Sequence, residues 1–136
     1  MVKLILRFLY RLWKTNSFRR NKIVIDTTAL FNRNTIFGGC NKIKKNASVC
    51  NSLIGRYTYI FESKLIATDV GNFCSIAADC TIGGGSHPSE WVSSSPVFYN
   101  GKNCLKKNFS TNDYIEYKRT EIGNDVWIGS KCLIKG

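Results

Sequence analysis

Histidine is nearly absent from this chain: His87 is the sole imidazole among 136 residues. A closed zinc site takes several imidazoles or thiolates at short, paired spacings. The six cysteines stand at 40, 50, 74, 80, 104 and 132, and none forms a Cys-x-x-Cys pair. No metal centre is therefore expected. Long apolar runs are missing too, the longest falling well short of the ~20 residues that a membrane span needs. No cleavable signal peptide is expected from the sequence, so the even cysteine count is not read as a disulfide framework. A reduced, cytoplasmic protein is expected. The length allows one domain and leaves no room for a separate nucleotide-binding domain with a Gly-rich strand-to-helix turn. Hydrophobic residues make up 43% of the chain, an ordinary globular value that argues against disorder.

Acidic residues are absent from one end. Residues 1–22 hold Lys3, Arg7, Arg11, Lys14, Arg19, Arg20 and Lys22, which supply seven of the eleven net positive charges and leave +4 on the rest. Lys3, Arg7, Arg11 and Lys14 recur at helical steps, with Leu4, Ile5, Phe8, Leu9, Leu12 and Trp13 over the remaining surface. Such a helix has two readings. It lies at an anionic inner membrane surface, cations outward, as a peripheral contact, or it packs on its own domain or a neighbouring subunit. The pattern leaves both open. No nucleic-acid recognition motif accompanies the charge, so no nucleic-acid partner is expected. Two regions follow: a basic amphipathic segment at 1–22 and a repeat domain at 23–136.

What fills the second region is a period of six. Val70-Gly71, Ile76 and Ile82-Gly83 form one run, and Ile122-Gly123, Ile128-Gly129 and Ile134 another. A small or aliphatic residue follows four positions on, as in Cys74, Cys80, Val126 and Cys132. Weaker copies pair Ile43 with Ala47, Val49 with Leu53 and Ile54 with Thr58, and run from Ile60 to Ile66. Neither a helix nor an alternating strand has this period. It fits a chain wound into short straight segments, each turning one aliphatic side chain inward, with coils stacked ~4.8 Å apart. The glycines are expected to allow tight turning at positive φ. Residues 43–82 and 122–136 account for about three triangular coils of ~18 residues, and residues 23–42 for an irregular fourth. Cys74, Cys80 and Cys132 then fill a narrow core as small, weakly polar side chains.

The period fails between Ile82 and Ile122, over a loop insertion at 83–121. It opens Gly83-Gly84-Gly85-Ser86-His87-Pro88, passes Trp91, Pro96, Phe98 and Tyr99, turns polar, and returns through Glu116-Tyr117-Lys118-Arg119. A long loop breaking a regular solenoid is usually functional. A neutral imidazole at its base can take a proton from a hydroxyl. Trp91, Phe98 and Tyr99 either line a substrate site or form the loop's own small core.

Residues 54–99 and 120–134 together resemble the xenobiotic and polysaccharide O-acetyltransferases of the hexapeptide-repeat, left-handed β-helix superfamily. The likeness is carried by Ile82 to Pro88, by Trp91-Val92-Ser93 and Ser95-Pro96-Val97-Phe98-Tyr99, and by Ile122-Gly123-Asn124-Asp125-Val126-Trp127-Ile128-Gly129-Ser130. It implies an all-β, left-handed parallel β-helix, to which the spacing at 2–14 adds a short N-terminal helix. It implies a homotrimer with sites between subunits, acetyl-CoA as co-substrate, no metal, and a sugar or polysaccharide hydroxyl as acceptor in polysaccharide biosynthesis. His87 would be the catalytic base, with Ser86, Trp91, Phe98 and Tyr99 in the substrate loop. Trp127, Gly129 and Ser130 would line the acetyl-CoA channel. Two departures accompany the likeness. Ser86 stands where many relatives have Asn, and the chain reaches Gly136 in mid-repeat, so C-terminal coils are expected to be missing. The rival expectation is a truncated, non-catalytic repeat scaffold or membrane-associated assembly protein. A γ-type carbonic anhydrase on the same coil would need three histidines, which one cannot supply.

Overall fold

The computed structural model describes residues 17–135. The helix expected at 2–14 lies outside the described residues; a short helical segment occupies 17–20.

The chain winds into a parallel β-solenoid of three sheets. The first stacks β1 (Val24–Ile25), β4 (Lys42–Ile43), β7 (Tyr59–Ile60), β10 (Ser75–Ile76) and β13 (Trp127–Ile128). The second stacks β2 (Leu30–Phe31), β5 (Ser48–Cys50), β8 (Lys64–Ile66), β11 (Thr81–Gly83) and β14 (Leu133–Ile134). The third holds β3 (Ile36–Phe37), β6 (Leu53–Ile54), β9 (Thr68–Val70) and β12 (Thr120–Ile122). Residues 23–42, expected to be irregular, form a regular three-stranded first coil. Four coils are therefore complete and a fifth contributes two strands.

Register places like on like. Ile25, Ile43, Ile60, Ile76 and Ile128 align in one inward column. Val49, Leu65 and Ile82 align in the second, Ile54 and Val70 in the third. Ile43, Val49, Ile54, Ile60, Leu65, Val70, Ile76 and Ile82 are all at most 4% exposed, which makes these columns the core. At the first-coil end Phe18 closes the prism, its ring 5.7 Å from Phe31 and 5.9 Å from Phe37.

Three expectations about the repeat need correction. Leu65, not Ile66, is the core residue of β8, and Ser52, not Leu53, is the small inward residue after Val49. Both follow from corners that are one residue shorter, which moves the inward position forward. The glycines after the aliphatic residues do not sit at positive φ, apart from Gly83. Positive φ falls instead on Asn46, Tyr57, Phe73, Asp79, Asp125 and Lys131, each just before the small inward residue. What demands glycine is proximity between coils. A Cβ on Gly55 would stand 2.4 Å from the Gly71 carbonyl carbon, and one on Gly71 would stand 2.5 Å from the Gly123 oxygen.

The small inward residues also tie coil to coil. Thr58 Oγ1 donates to the Gly71 carbonyl at 2.9 Å and accepts from the Cys74 N–H at 3.0 Å. The Cys74 thiol donates to the Gly123 carbonyl at 3.1 Å, and the Cys80 thiol to that of Gly129 at 3.0 Å. Cysteine here satisfies a corner carbonyl as well as filling space. Cys132 is only half-buried against this core.

Candidate active site

The insertion leaves the solenoid at the corner between the second and third sheets. Gly83 still belongs to β11 and Thr120–Ile122 is β12, so the excursion runs 84–119 rather than 83–121. Gly83 turns out at φ 72, and a Cβ there would lie 2.1 Å from the Ile66 oxygen. Only glycine can make this exit. Gly84 N–H then donates to that same Ile66 oxygen at 3.1 Å. The return is held by Arg119, whose guanidinium pairs with the Asp69 carboxylate of β9 and reaches the Asn51 carbonyl at 3.3 Å. Arg119 holds the Asp69 carboxyl below the usual carboxylate range.

The two ends of the insertion lie side by side, because Ser86 N–H donates to the Glu116 carbonyl at 2.8 Å. Further cross-ties are Tyr114 N–H to the Tyr99 carbonyl at 2.8 Å and Phe109 N–H to the Val97 carbonyl at 2.7 Å. A single 3₁₀ turn covers Pro96–Phe98. Tyr99 is the pivot of the loop, with no exposed surface at all. Its ring meets His87 at 5.8 Å and Tyr114 at 5.8 Å, and Tyr114 in turn meets Trp91 at 6.0 Å.

His87 is exposed while Pro88 beside it is buried, so the imidazole stands at the surface on a fixed base. Its Nδ1 is hydrogen-bonded to the Tyr99 hydroxyl. Burial, reinforced by the Glu116 carboxylate, pushes the Tyr99 phenol above its usual value. That hydroxyl therefore keeps its proton at neutral pH. Glu116 is anchored by Asn100 Nδ2, which donates to Oε1 at 2.9 Å.

The structure sorts the expected substrate-loop residues into two groups. Tyr99 is a buried support for His87 and faces no open space. Ser86 is directed at the loop's return, its Oγ 3.2 Å from the Glu116 carbonyl and 3.3 Å from the Tyr114 hydroxyl. Trp91 and Phe98, each 39% exposed, instead border an open depression of about 410 Å³ with Glu90, Val92, Ser93, Phe109, Ser110 and Asn112. Trp127 is 78% exposed on β13 of the first sheet, and Gly129 and Ser130 form the corner after it. Among the described residues, none of these three is in hydrogen-bond or ring contact with His87. Lys135 does link the last coil to the insertion, donating to the Gly85 carbonyl at 2.9 Å.

Glu116, Tyr114 and Asn100 were not singled out as site residues by the sequence. They lie 13 to 29 residues from His87 and follow no period, so only the folded loop brings them together. Among the described residues, no group of three or more His, Cys, Asp or Glu is placed to hold a metal ion. No helix there is long and apolar enough to cross a membrane.

A parallel solenoid broken at one corner by a loop that presents an imidazole agrees with the fold that the resemblance implies. The chain is similar to the chloramphenicol acetyltransferase of Agrobacterium fabrum (strain C58 / ATCC 33970), 41% identical over 68 residues. It is also similar to that of Escherichia coli, 42% over 69 residues, and that of Klebsiella aerogenes, 36% over 68. Each match covers 48% of this chain and 32% of the relative, so the chain spans about a third of the length of these proteins. No family model matches the chain.

Proposed function

We propose that this chain is an acetyl-CoA-dependent O-acetyltransferase acting on a sugar or polysaccharide hydroxyl. The observation that carries the reading is His87: an exposed imidazole near the start of a long excursion from the solenoid, beside a buried tyrosine and proline. In this mechanism His87 accepts the proton of the acceptor hydroxyl as its oxygen attacks the thioester carbonyl. The C–S bond then breaks, and the imidazolium returns the proton to the departing thiolate. No covalent enzyme intermediate forms. Backbone N–H groups at the Gly129–Ser130 corner stabilise the oxyanion, and Trp127 walls the acetyl-CoA channel. An open surface at Gly129 suits this role, since a Cβ there would meet only the Trp127 ring, at 3.9 Å.

Trp127 stands on the first sheet, whereas the insertion that carries His87 leaves the corner between the second and third, so the reading draws on a second copy to complete the site. We take the assembly to be a homotrimer. The aromatic depression bordered by Trp91, Phe98 and Phe109, with Glu90, Ser93 and Asn112 on its rim, suits a saccharide, whose C–H faces stack on rings while its hydroxyls take polar partners.

Thiol release from acetyl-CoA, measured with a saccharide panel for wild type and His87→Ala, tests the proposal. Turnover is expected in wild type and a loss of about 10²–10⁴-fold in the variant. Equal background in both would instead identify a non-catalytic scaffold.

A separate observation favours contact with an anionic membrane surface at the first-coil end. Arg19, Arg20, Lys22 and Arg33 are all exposed in the first coil and the turn before it, as are Val24, Leu30 and Ile36, one on each sheet, at 53%, 66% and 61%. Apolar insertion combined with cationic attraction is the chemistry of peripheral binding. Co-sedimentation with anionic but not neutral vesicles, reversed by salt, is expected. Equal sedimentation with both would overturn it.

A further inference from the structure

We infer that three copies of this chain assemble about the corner between their third and first sheets, which turns Tyr57 and Phe73 toward the common axis. The inference rests on the reading of a site shared between copies and names the faces that meet. Chain order assigns the corners. Residues 26–29, 44–47, 61–63, 77–80 and 129–132 turn from the first sheet to the second. Residues 38–41, 55–58, 71–74 and 123–126 turn from the third to the first, and the insertion leaves the remaining corner. Gly129 and Ser130 therefore stand at one edge of the first sheet, and the insertion with His87 leaves the far edge of the third. Three prisms closed about an axis each offer two faces that share an edge, and that edge points inward. With the third-to-first corner inward, the first sheet of one copy lies against the third sheet of the next. At the outer mouth of that interface, the Gly129–Ser130 corner of one copy stands beside the insertion of its neighbour. Turning the first-to-second corner inward would put Gly129 and Ser130 on the axis, away from the insertion. Turning the remaining corner inward would crowd three insertions together.

The side chains agree with that choice. Tyr57 and Phe73 belong to the third-to-first corner and stack nearly parallel at 5.1 Å, yet stay 48% and 58% exposed. Both hold the left-handed backbone, at φ 60° and 61°, which Asn and Asp take far more readily than a bulky aromatic. Asn46, Asn51, Asp79 and Asp125 fill that conformation at other turns. Large exposed rings kept in a costly backbone geometry mark a surface that another molecule covers. The flanking faces are apolar at matching height. Leu53 on β6 and Tyr59 on β7, strands consecutive in the chain, are 41% and 40% exposed. The outward column of the first sheet also carries Lys42, and that of the third Asp69 and Glu121, opposite in sign. The second sheet, left in solvent by this arrangement, runs Ser48, Lys64 and Thr81 between Leu30 and Leu133 at its ends.

Sedimentation of the full chain reads this interface without substrate. Wild type should run at three times the chain mass. Phe73→Asp suits the backbone of its turn, so the coil keeps its shape while one carboxylate per copy gathers about the axis. It should reduce the mass to that of one chain. Tyr59→Lys, outward on the first sheet, is the second arm and should do the same. Lys64→Glu, outward on the second sheet, should leave the trimer intact. Circular dichroism shows which variants keep the solenoid. A trimer that survives in whichever of Phe73→Asp and Tyr59→Lys stays folded, or that Lys64→Glu breaks, overturns this choice of faces and leaves the shared site standing. A monomeric wild type overturns both. A trimer that behaves as expected but turns nothing over supports the inference and sinks the acyl-transfer reading alone.

Discussion

The glycines of this solenoid divide by what lies over them, not by their own conformation. Gly71 is covered by the Gly123 carbonyl at a distance no methyl group tolerates, whereas a Cβ on Gly123 would meet nothing within 4 Å. Gly71→Ala is therefore expected to lower stability by about 1–3 kcal/mol, and Gly123→Ala by far less. Urea melts of the two variants decide this, and equal losses would mean the coils relax apart. A similar contrast separates the two threonines that open β9 and β12. Thr68 Oγ1 donates to the Ile82 carbonyl at 3.2 Å, while the buried Thr120 hydroxyl has no partner. Thr68→Val should cost about 1–3 kcal/mol by leaving polar groups unsatisfied. Thr120→Val should be neutral or stabilising. At Tyr57 and Phe73 the cost of a positive φ is offset by stacking of the two rings, 5.1 Å apart and nearly parallel.

At the scale of elements, the insertion is held to the frame by few contacts. Gly83 and Gly84 fix the exit, and the Arg119–Asp69 pair fixes the return. Asp69 has its folded-state pKa lowered, chiefly by the hydrogen bond from Arg119. Its contribution to stability is thus complete above the unfolded value of about 3.9 and is lost as pH falls through the lower folded value. Both side chains are substantially exposed, at 41% and 31%, so solvent screening keeps the pair below about 1 kcal/mol. Asp69→Asn should therefore melt slightly below wild type at pH 7, and the gap should close below about pH 4. A constant gap across that range would show that the ion pair is not its source.

For the whole molecule, the proposed site turns on Trp127 standing on the first sheet while the insertion with His87 leaves the corner of the other two. A trimer should sediment at three times the 15.4 kDa chain mass. Mixing His87→Ala with Ser130→Trp subunits should then restore part of the activity that each loses alone, because some mixed sites pair an intact imidazole with an intact channel. A monomeric mass, or no recovery on mixing, would refute a site shared between subunits.

The six-residue period was enough to read the solenoid, its core columns from Ile43 to Ile82, and the site of the interruption, because one inward aliphatic per short strand imposes a spacing visible along the chain. The same reasoning took the first coil as irregular, where Phe31 and Phe37 replace the usual aliphatics, and misassigned Leu65 and Ser52, where shortened corners slip the register. His87 could be singled out because nothing else in the chain shares its chemistry. That Tyr99 is buried with its hydroxyl on His87 Nδ1, and that Ser86 meets Glu116, were decided only by tertiary structure. Those contacts join residues 12 to 30 positions apart inside an aperiodic loop, and hydrogen bonds across such a loop leave no spacing in the sequence to find.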